Sequence, residues 1–215
     1  MYFINTNTSI NYIKSICQKI IDNYSEIKRI KNDLNGKKII LGGSFNPPTI
    51  AHQEMAMYVL KHLSDKLVLL PNGNKYPTKE LLSFDQRIEL IKANLPNVDI
   101  QDYEKNQHFG GTVKFLELRN HPFFVIGTDS LRDLPGWIDS HNLIQNNKFI
   151  VFKREDDDIE QIFINNPLLN NYRNNFYILS VSVSRVSSSA FRKSFDEDFL
   201  TDEVYKLVIE NNYYK

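Results

Sequence analysis

Short apolar runs alternate with stretches of helical period along most of the chain, and this alternation predicts the fold class. The runs are Lys38–Leu41, Lys66–Leu70, Val98–Gln101, Phe123–Ile126, Phe149–Phe152 and Tyr177–Leu179, each of strand length. Helical patterns fall between them at about Ala51–Leu63, Ser83–Asn94, Thr112–Arg119 and Ser140–Gln145. Continuous apolar strands separated by helices form a parallel sheet covered on both faces. The expected fold is therefore α/β, a doubly wound parallel sheet. Ligands of such sheets sit beyond the carboxyl ends of the strands. Gly42-Gly43, Leu70-Pro71-Asn72, Ile126-Gly127-Thr128-Asp129 and Phe152-Lys153-Arg154 should gather at that edge.

A different pattern precedes the first strand. Ile10, Ile13, Cys17, Ile20, Tyr24 and Ile27 recur at alternating spacings of three and four, and Gly36 marks a stop. Residues 1–37 thus read as an N-terminal helical extension of a domain spanning residues 38–215. Its apolar stripe either packs on that domain or associates with itself, which leaves a homo-oligomer open. Asp22 and Glu26 argue against a transit peptide.

Composition narrows the partners. The net charge is zero with 26 basic and 26 acidic residues, so no nucleic-acid surface or polybasic membrane anchor is expected. No apolar run approaches membrane-spanning length, and no secretory leader is evident. A single cysteine, Cys17, excludes an intramolecular disulfide framework and a cysteine-rich zinc site, and suggests a reducing compartment. A cytoplasmic protein is expected. The acidic run Glu155-Asp156-Asp157-Asp158 reads as a solvated loop.

The candidate chemistry begins at Gly42-Gly43-Ser44-Phe45-Asn46-Pro47-Pro48-Thr49-Ile50-Ala51-His52, a glycine turn between strand and helix. Adjacent glycines allow close backbone approach, and a helix N-terminus offers unpaired N–H groups to a phosphate. Thr49 and His52, three apart, share a face of the first turn. The stretch is neither a Walker loop nor a GxGxxG turn. A second phosphate candidate is Val186-Ser187-Ser188-Ser189-Ala190-Phe191-Arg192, where serines cap a helix and Arg192 follows one turn later.

Together these two segments resemble the T/HxGH and ISSTxxR signatures of the nucleotidyltransferase superfamily. From about Lys38 to Lys215 the chain resembles the nicotinate-nucleotide adenylyltransferases in particular. Leu70-Pro71-Asn72, Asp85-Gln86-Arg87, Ile126-Gly127-Thr128-Asp129-Ser130-Leu131, Trp137 and Ile150-Val151-Phe152-Lys153-Arg154 follow in the family's order. Ala51 stands where the signature usually has glycine, Ser189 where it has threonine, and Gly111 where a tyrosine is common.

The resemblance implies a Rossmann-like sheet and transfer of AMP from ATP to nicotinate mononucleotide, with Mg2+ accompanying ATP and no protein metal ligand assigned. It implies His52, Thr49 and Arg192 as catalytic residues. Gly43, Ser44, Phe45, Gly127, Asp129, Ser188 and Ser189 would bind ATP. Thr112, Trp137 and Ile138 would bind the pyridine nucleotide. Lys79, Lys153 and Arg154 are further phosphate partners, and Asp129 serves either ribose or a helix N-cap. Nicotinamide mononucleotide, phosphopantetheine and a non-catalytic nucleotide sensor are the alternatives.

Overall fold

The computed structural model describes residues 6–74, 81–105, 111–154 and 157–215. Strands β1 (Ile39–Gly43), β2 (Leu67–Pro71), β3 (Asp99–Ile100), β4 (Phe123–Gly127), β5 (Phe149–Phe152) and β6 (Phe176–Leu179) form one sheet of order β3-β2-β1-β4-β5-β6. Every pairing is parallel. The chain runs outward from β1 to β3, then returns to lay β4 against the other side of β1. That reversal opens a crevice between the carboxyl ends of β1 and β4, the usual ligand position in such sheets.

Residues of each strand alternate between two cores. Ile39, Leu41, Leu67, Leu69, Phe123, Val125, Ile150 and Phe152 face one side. There they meet α1 (Thr6–Leu34), α2 (Ile50–His62) and α3 (Phe84–Asn94). Ile40, Val68, Phe124, Ile126, Phe149 and Val151 face the other, under α4 (Gly111–Leu118), α5 (Thr128–Asp133), α6 (Ser140–Asn146), α7 (Ile159–Ile164) and α8 (Pro167–Asn171). A third cluster, including Leu90, Phe191, Val204 and Val208, docks α9 (Ser188–Ser194) and α10 (Asp202–Glu210) onto α3. All six expected strands form within a residue or two, except that Val98–Gln101 pairs only over Asp99–Ile100 at the sheet edge. Helices α5, α7 and α8 are too short to show a period. Capping holds two of them: Asp158 accepts from the Gln161 amide and Asn166 from the Leu169 amide.

The extension is helical as expected, but its stripe divides. Ile30 and Leu34 are buried and Ile27 packs against them. The Asn23 amide clamps the Ser180 backbone from both sides, donating to its carbonyl and accepting from its N–H. Arg29 lies 4.2 Å from the Tyr177 ring centroid, and the Tyr177 hydroxyl donates to Asp33. The last third of α1 is therefore part of the domain. Earlier positions are not: Ile10, Ile13, Cys17, Ile20 and Tyr24 are exposed.

Candidate active site

A cleft of about 730 Å³ opens at the crevice between β1 and β4. Its floor is the glycine turn. A Cβ on Gly42 would lie 2.3 Å from the Phe124 ring, so only glycine lets that ring cross the end of β1. Gly43 and Ser44 line the cleft. Phe45 does not: its backbone is left-handed, with φ 47°, and its ring is buried 5.1 Å from the His52 ring. It supports the histidine from behind.

Thr49 caps α2 in an extended conformation, with φ −107° and ψ 170°. Its backbone N–H donates to His52 Nδ1 at 3.0 Å, and its hydroxyl lies 2.8 Å from the same nitrogen. An amide N–H donates, so Nδ1 carries no proton. The neutral ring must then bear its proton on Nε2. Burial lowers the imidazole pKa from 6.5 to about 4, which keeps the ring neutral at pH 7. The cap thus presents an N–H donor to the cleft, where His52 is part of the wall. Thr49 itself is fully buried and its hydroxyl faces His52. It holds the imidazole in place from beneath the cleft surface.

A titration consequence follows. His52 binds a proton more readily when unfolded, so its burial adds stability above pH 6.5 that is lost as pH falls from 6.5 to about 4. The loss should reach about 3 kcal/mol in the unliganded protein. Nitrogen-detected NMR of the free chain should show the Nε2–H tautomer persisting to about pH 5. A ring that titrates near 6.5 would contradict the cap geometry.

The opposite wall is the start of α9. The Ser187 hydroxyl accepts from the Ala190 amide and caps the helix. Ser188 donates to the Pro47 carbonyl at 2.8 Å, and Arg192 donates to the Asn46 carbonyl at 2.5 Å. Arg192 also reaches Ser189, at 3.5 Å. Ser188 and Arg192 thereby tie the start of α9 to the Asn46-Pro47 segment, 141 and 146 positions earlier, and the three serines and Arg192 all line the cleft. At the end of β4, Gly127 caps α5 and also faces the cleft. Asp129 is the second residue of that helix, so the N-cap alternative for it fails. Its carboxylate pairs with Arg154 at 2.9 Å and Arg132 at 3.4 Å.

Thr112, Trp137 and Ile138 also line the cleft. Trp137 meets Phe124 edge to face, with centroids 6.2 Å apart. Thr112 lies in the first turn of α4, where backbone N–H groups have no carbonyl within the helix. Gly111 has φ +78°, and a Cβ there would lie 3.0 Å from Ile138. A side chain at this left-handed position would be strained and would press on Ile138. Lys79 lies outside the described residues, as do Glu155 and Asp156. Lys153 does not border the cleft, whereas Arg154 does.

Sequence reasoning gave no role to Arg87, which the structure places at the hub of the site. It is fully buried and donates to the carbonyls of Leu82 (3.1 Å), Ser44 (2.8 Å) and Asn72 (2.6 Å) and to Asn74 Oδ1 (2.9 Å). One guanidinium thus joins the glycine turn, the end of β2 and the segment before α3. Asn46 acts similarly: its buried Oδ1 accepts from the Leu82 amide and the Tyr214 hydroxyl. Asp85-Gln86-Arg87 was visible as a motif, but its partners come from distant segments.

Residues 40–194 match the cytidylyltransferase-like family. The "Probable nicotinate-nucleotide adenylyltransferase" of Fusobacterium nucleatum is 34% identical over 194 residues, covering 82% of this chain and 98% of that protein. The protein of the same name from Acholeplasma laidlawii is 31% identical, covering 82% and 97%. The fold is similar to that of Plasmodium falciparum nicotinic acid mononucleotide adenylyltransferase complexed with NaAD. The TM-score is 0.66 and the identity 22%, over 83% of this chain and 97% of that one. The chain belongs to the cytidylyltransferase-like family and, within it, to the nicotinate-nucleotide adenylyltransferases.

Proposed function

We propose that this enzyme transfers AMP from ATP to nicotinate mononucleotide, releasing pyrophosphate and forming nicotinate adenine dinucleotide. The observation that carries the reading is that His52, the glycine turn and Arg192, which is bonded to Asn46, line the same cleft as Trp137 and the first turn of α4. The first group suits a triphosphate, the second a flat ring bearing an anion.

The 5′-phosphate of the mononucleotide, largely a dianion at pH 7, attacks the α-phosphorus of ATP. The bond from that phosphorus to the bridging oxygen breaks, and pyrophosphate leaves with the electron pair. No protein base is required, because the nucleophile is already deprotonated. The protein positions the two phosphates and offsets charge as it develops. His52 donates from Nε2 to the reacting phosphate. Arg192 and Ser189 hold the departing pyrophosphate, for which a planar, permanently charged fork is well suited. Gly43, Ser44 and Gly127 let the nucleotide approach the backbone, and Asp129 accepts from ribose.

Around the pyridine, the Thr112 and Ile138 amides donate to the ring carboxylate while Trp137 stacks on the ring. Donors aimed at this position favour the acid over the amide, whose NH₂ would face them. Magnesium would arrive with ATP, on phosphate oxygens and water. This fits the donor set, since no group of three His, Cys, Asp or Glu that could hold a metal occurs among the described residues. Its chemistry would be charge neutralisation on the triphosphate. We place the reaction in the cytoplasm; no described helix is long and apolar enough to cross a membrane.

The test is pyrophosphate release with ATP and magnesium, with nicotinate mononucleotide, nicotinamide mononucleotide and phosphopantetheine in parallel. Release with nicotinate mononucleotide alone is expected. A comparable nicotinamide rate would overturn the acid-selective pocket, and release with phosphopantetheine alone would overturn the reaction. Trp137→Ala should raise the mononucleotide KM about tenfold and leave the ATP KM near its original value.

A further inference from the structure

The first two thirds of α1 carry surface that the catalytic domain does not cover. Ile10, Ile13, Ile20, Ile21 and Tyr24 are 50, 55, 62, 56 and 70% exposed, and Ile16 is 38% exposed. Scattered apolar residues on a surface need no explanation, but these are ordered. Ile10, Ile13, Cys17, Ile20 and Tyr24 follow three-four spacing without a break, placing them at successive a and d positions of a heptad. The family model begins only at residue 40, and the Fusobacterium relative is matched over 98% of its length by 82% of this chain.

We propose that this segment is a dimerisation helix whose occupant is the same segment of a second copy, packed parallel and in register as a short coiled coil. Three observations select that occupant. A heptad seam is self-complementary, since each a or d residue meets its own counterpart in a parallel pair. The flanking positions agree: Ile16 falls at g and Ile21 at e, and g faces the partner's e five residues on. The partners' isoleucines thereby extend the seam with no like charges opposed.

The area is also sufficient. The six exposed residues leave roughly 650 Å² per chain in water, so pairing removes up to roughly 1,300 Å², at the lower end of the range of stable interfaces. A membrane surface fits less well, because the polar face mixes Lys14 and Lys19 with Asp22 and Glu26.

Cys17 makes the register testable. It is exposed in the single chain and sits at an a position. In a parallel pair it faces its own copy with Cα atoms about 6 Å apart, within disulfide reach. An antiparallel pair would set it against isoleucine. Light scattering of the full chain at tens of micromolar should give twice the 25.2 kDa chain mass. Ile13→Lys combined with Ile20→Lys should return it to one chain mass with turnover unchanged. Diamide, which accepts the two electrons and two protons of the thiols, should trap a covalent dimer in the parent and not in the variant.

A parent chain of single mass overturns the proposal, as does any other multiple or a doubled mass that the lysines leave intact. Doubling without a covalent product overturns the parallel register. Retained turnover in the monomeric variant separates this proposal from the adenylyl-transfer reading, whose failure would silence both proteins.

Discussion

Replacing His52 with Gln should lower kcat by about 10²–10³-fold while leaving the fold and melting temperature nearly intact. His52 makes two separable contributions. Its Nδ1 accepts from the Thr49 amide and completes the N-terminal cap of α2. Its Nε2–H is directed to the reacting phosphate. Glutamine at the third position of a capping box accepts from the cap amide as well, so the first contribution survives. With its oxygen held by the cap amide, the carboxamide NH₂ is fixed along a different line from the imidazole Nε2–H, so its donor misses the reacting phosphate. His52→Ala removes both contributions and should add about 1 kcal/mol of destabilisation to the same catalytic loss. Steady-state kinetics beside thermal melts checks both variants. Full turnover in either, with the protein folded, would remove His52 from the chemistry.

Removing the guanidinium of Arg87 should have the largest effect on stability. Arg87→Met would leave three half-buried carbonyls and the Asn74 side-chain oxygen without this donor. It would also strip Glu104 of a nearby cation that helps offset its burial. Glu104 accepts from the Gly73 amide on the same loop, so the damage is shared. Unpaired half-buried acceptors and a broken charge network put the loss at about 3–5 kcal/mol, lowering the melting temperature by about 10 °C.

Arg87→Lys is the informative companion. Burial lowers the Arg87 pKa only to about 10, so the guanidinium is charged at pH 7. A lysine, however, cannot span three segments as the planar fork does. Arg87→Lys should therefore raise the ATP KM, because Ser44 loses its tether. Unchanged stability in Arg87→Met would show that the hub is not structural.

Much of this was legible in the sequence because it depends on short-range order. Strand identity follows from apolar runs such as Phe149–Phe152, which are buried on both faces and need no distant information to be read. The glycine turn, the Thr49 cap and the serines before Arg192 are likewise local, since caps and turns are settled within four residues. Their placement beyond the strand ends followed from the α/β pattern itself.

The roles of the same residues were decided elsewhere. That Thr49 turns inward to His52, that Phe45 lies beneath the ring, and that Asp129 pairs with Arg154 depend on which side chains meet across the crevice. Arg87 is the clearest case: its four acceptors lie up to 43 positions away from it, and no local pattern links them.

The extension shows the same division. Its heptad was written in the chain, as were the residues able to pack. Which of them the domain covers follows from where β6 ends, because Ser180 and Tyr177 hold α1 at Asn23 and Arg29. Periodicity determines which face of a helix is apolar. Only the tertiary structure, by supplying or withholding a neighbour, decides how much of that face remains for another molecule.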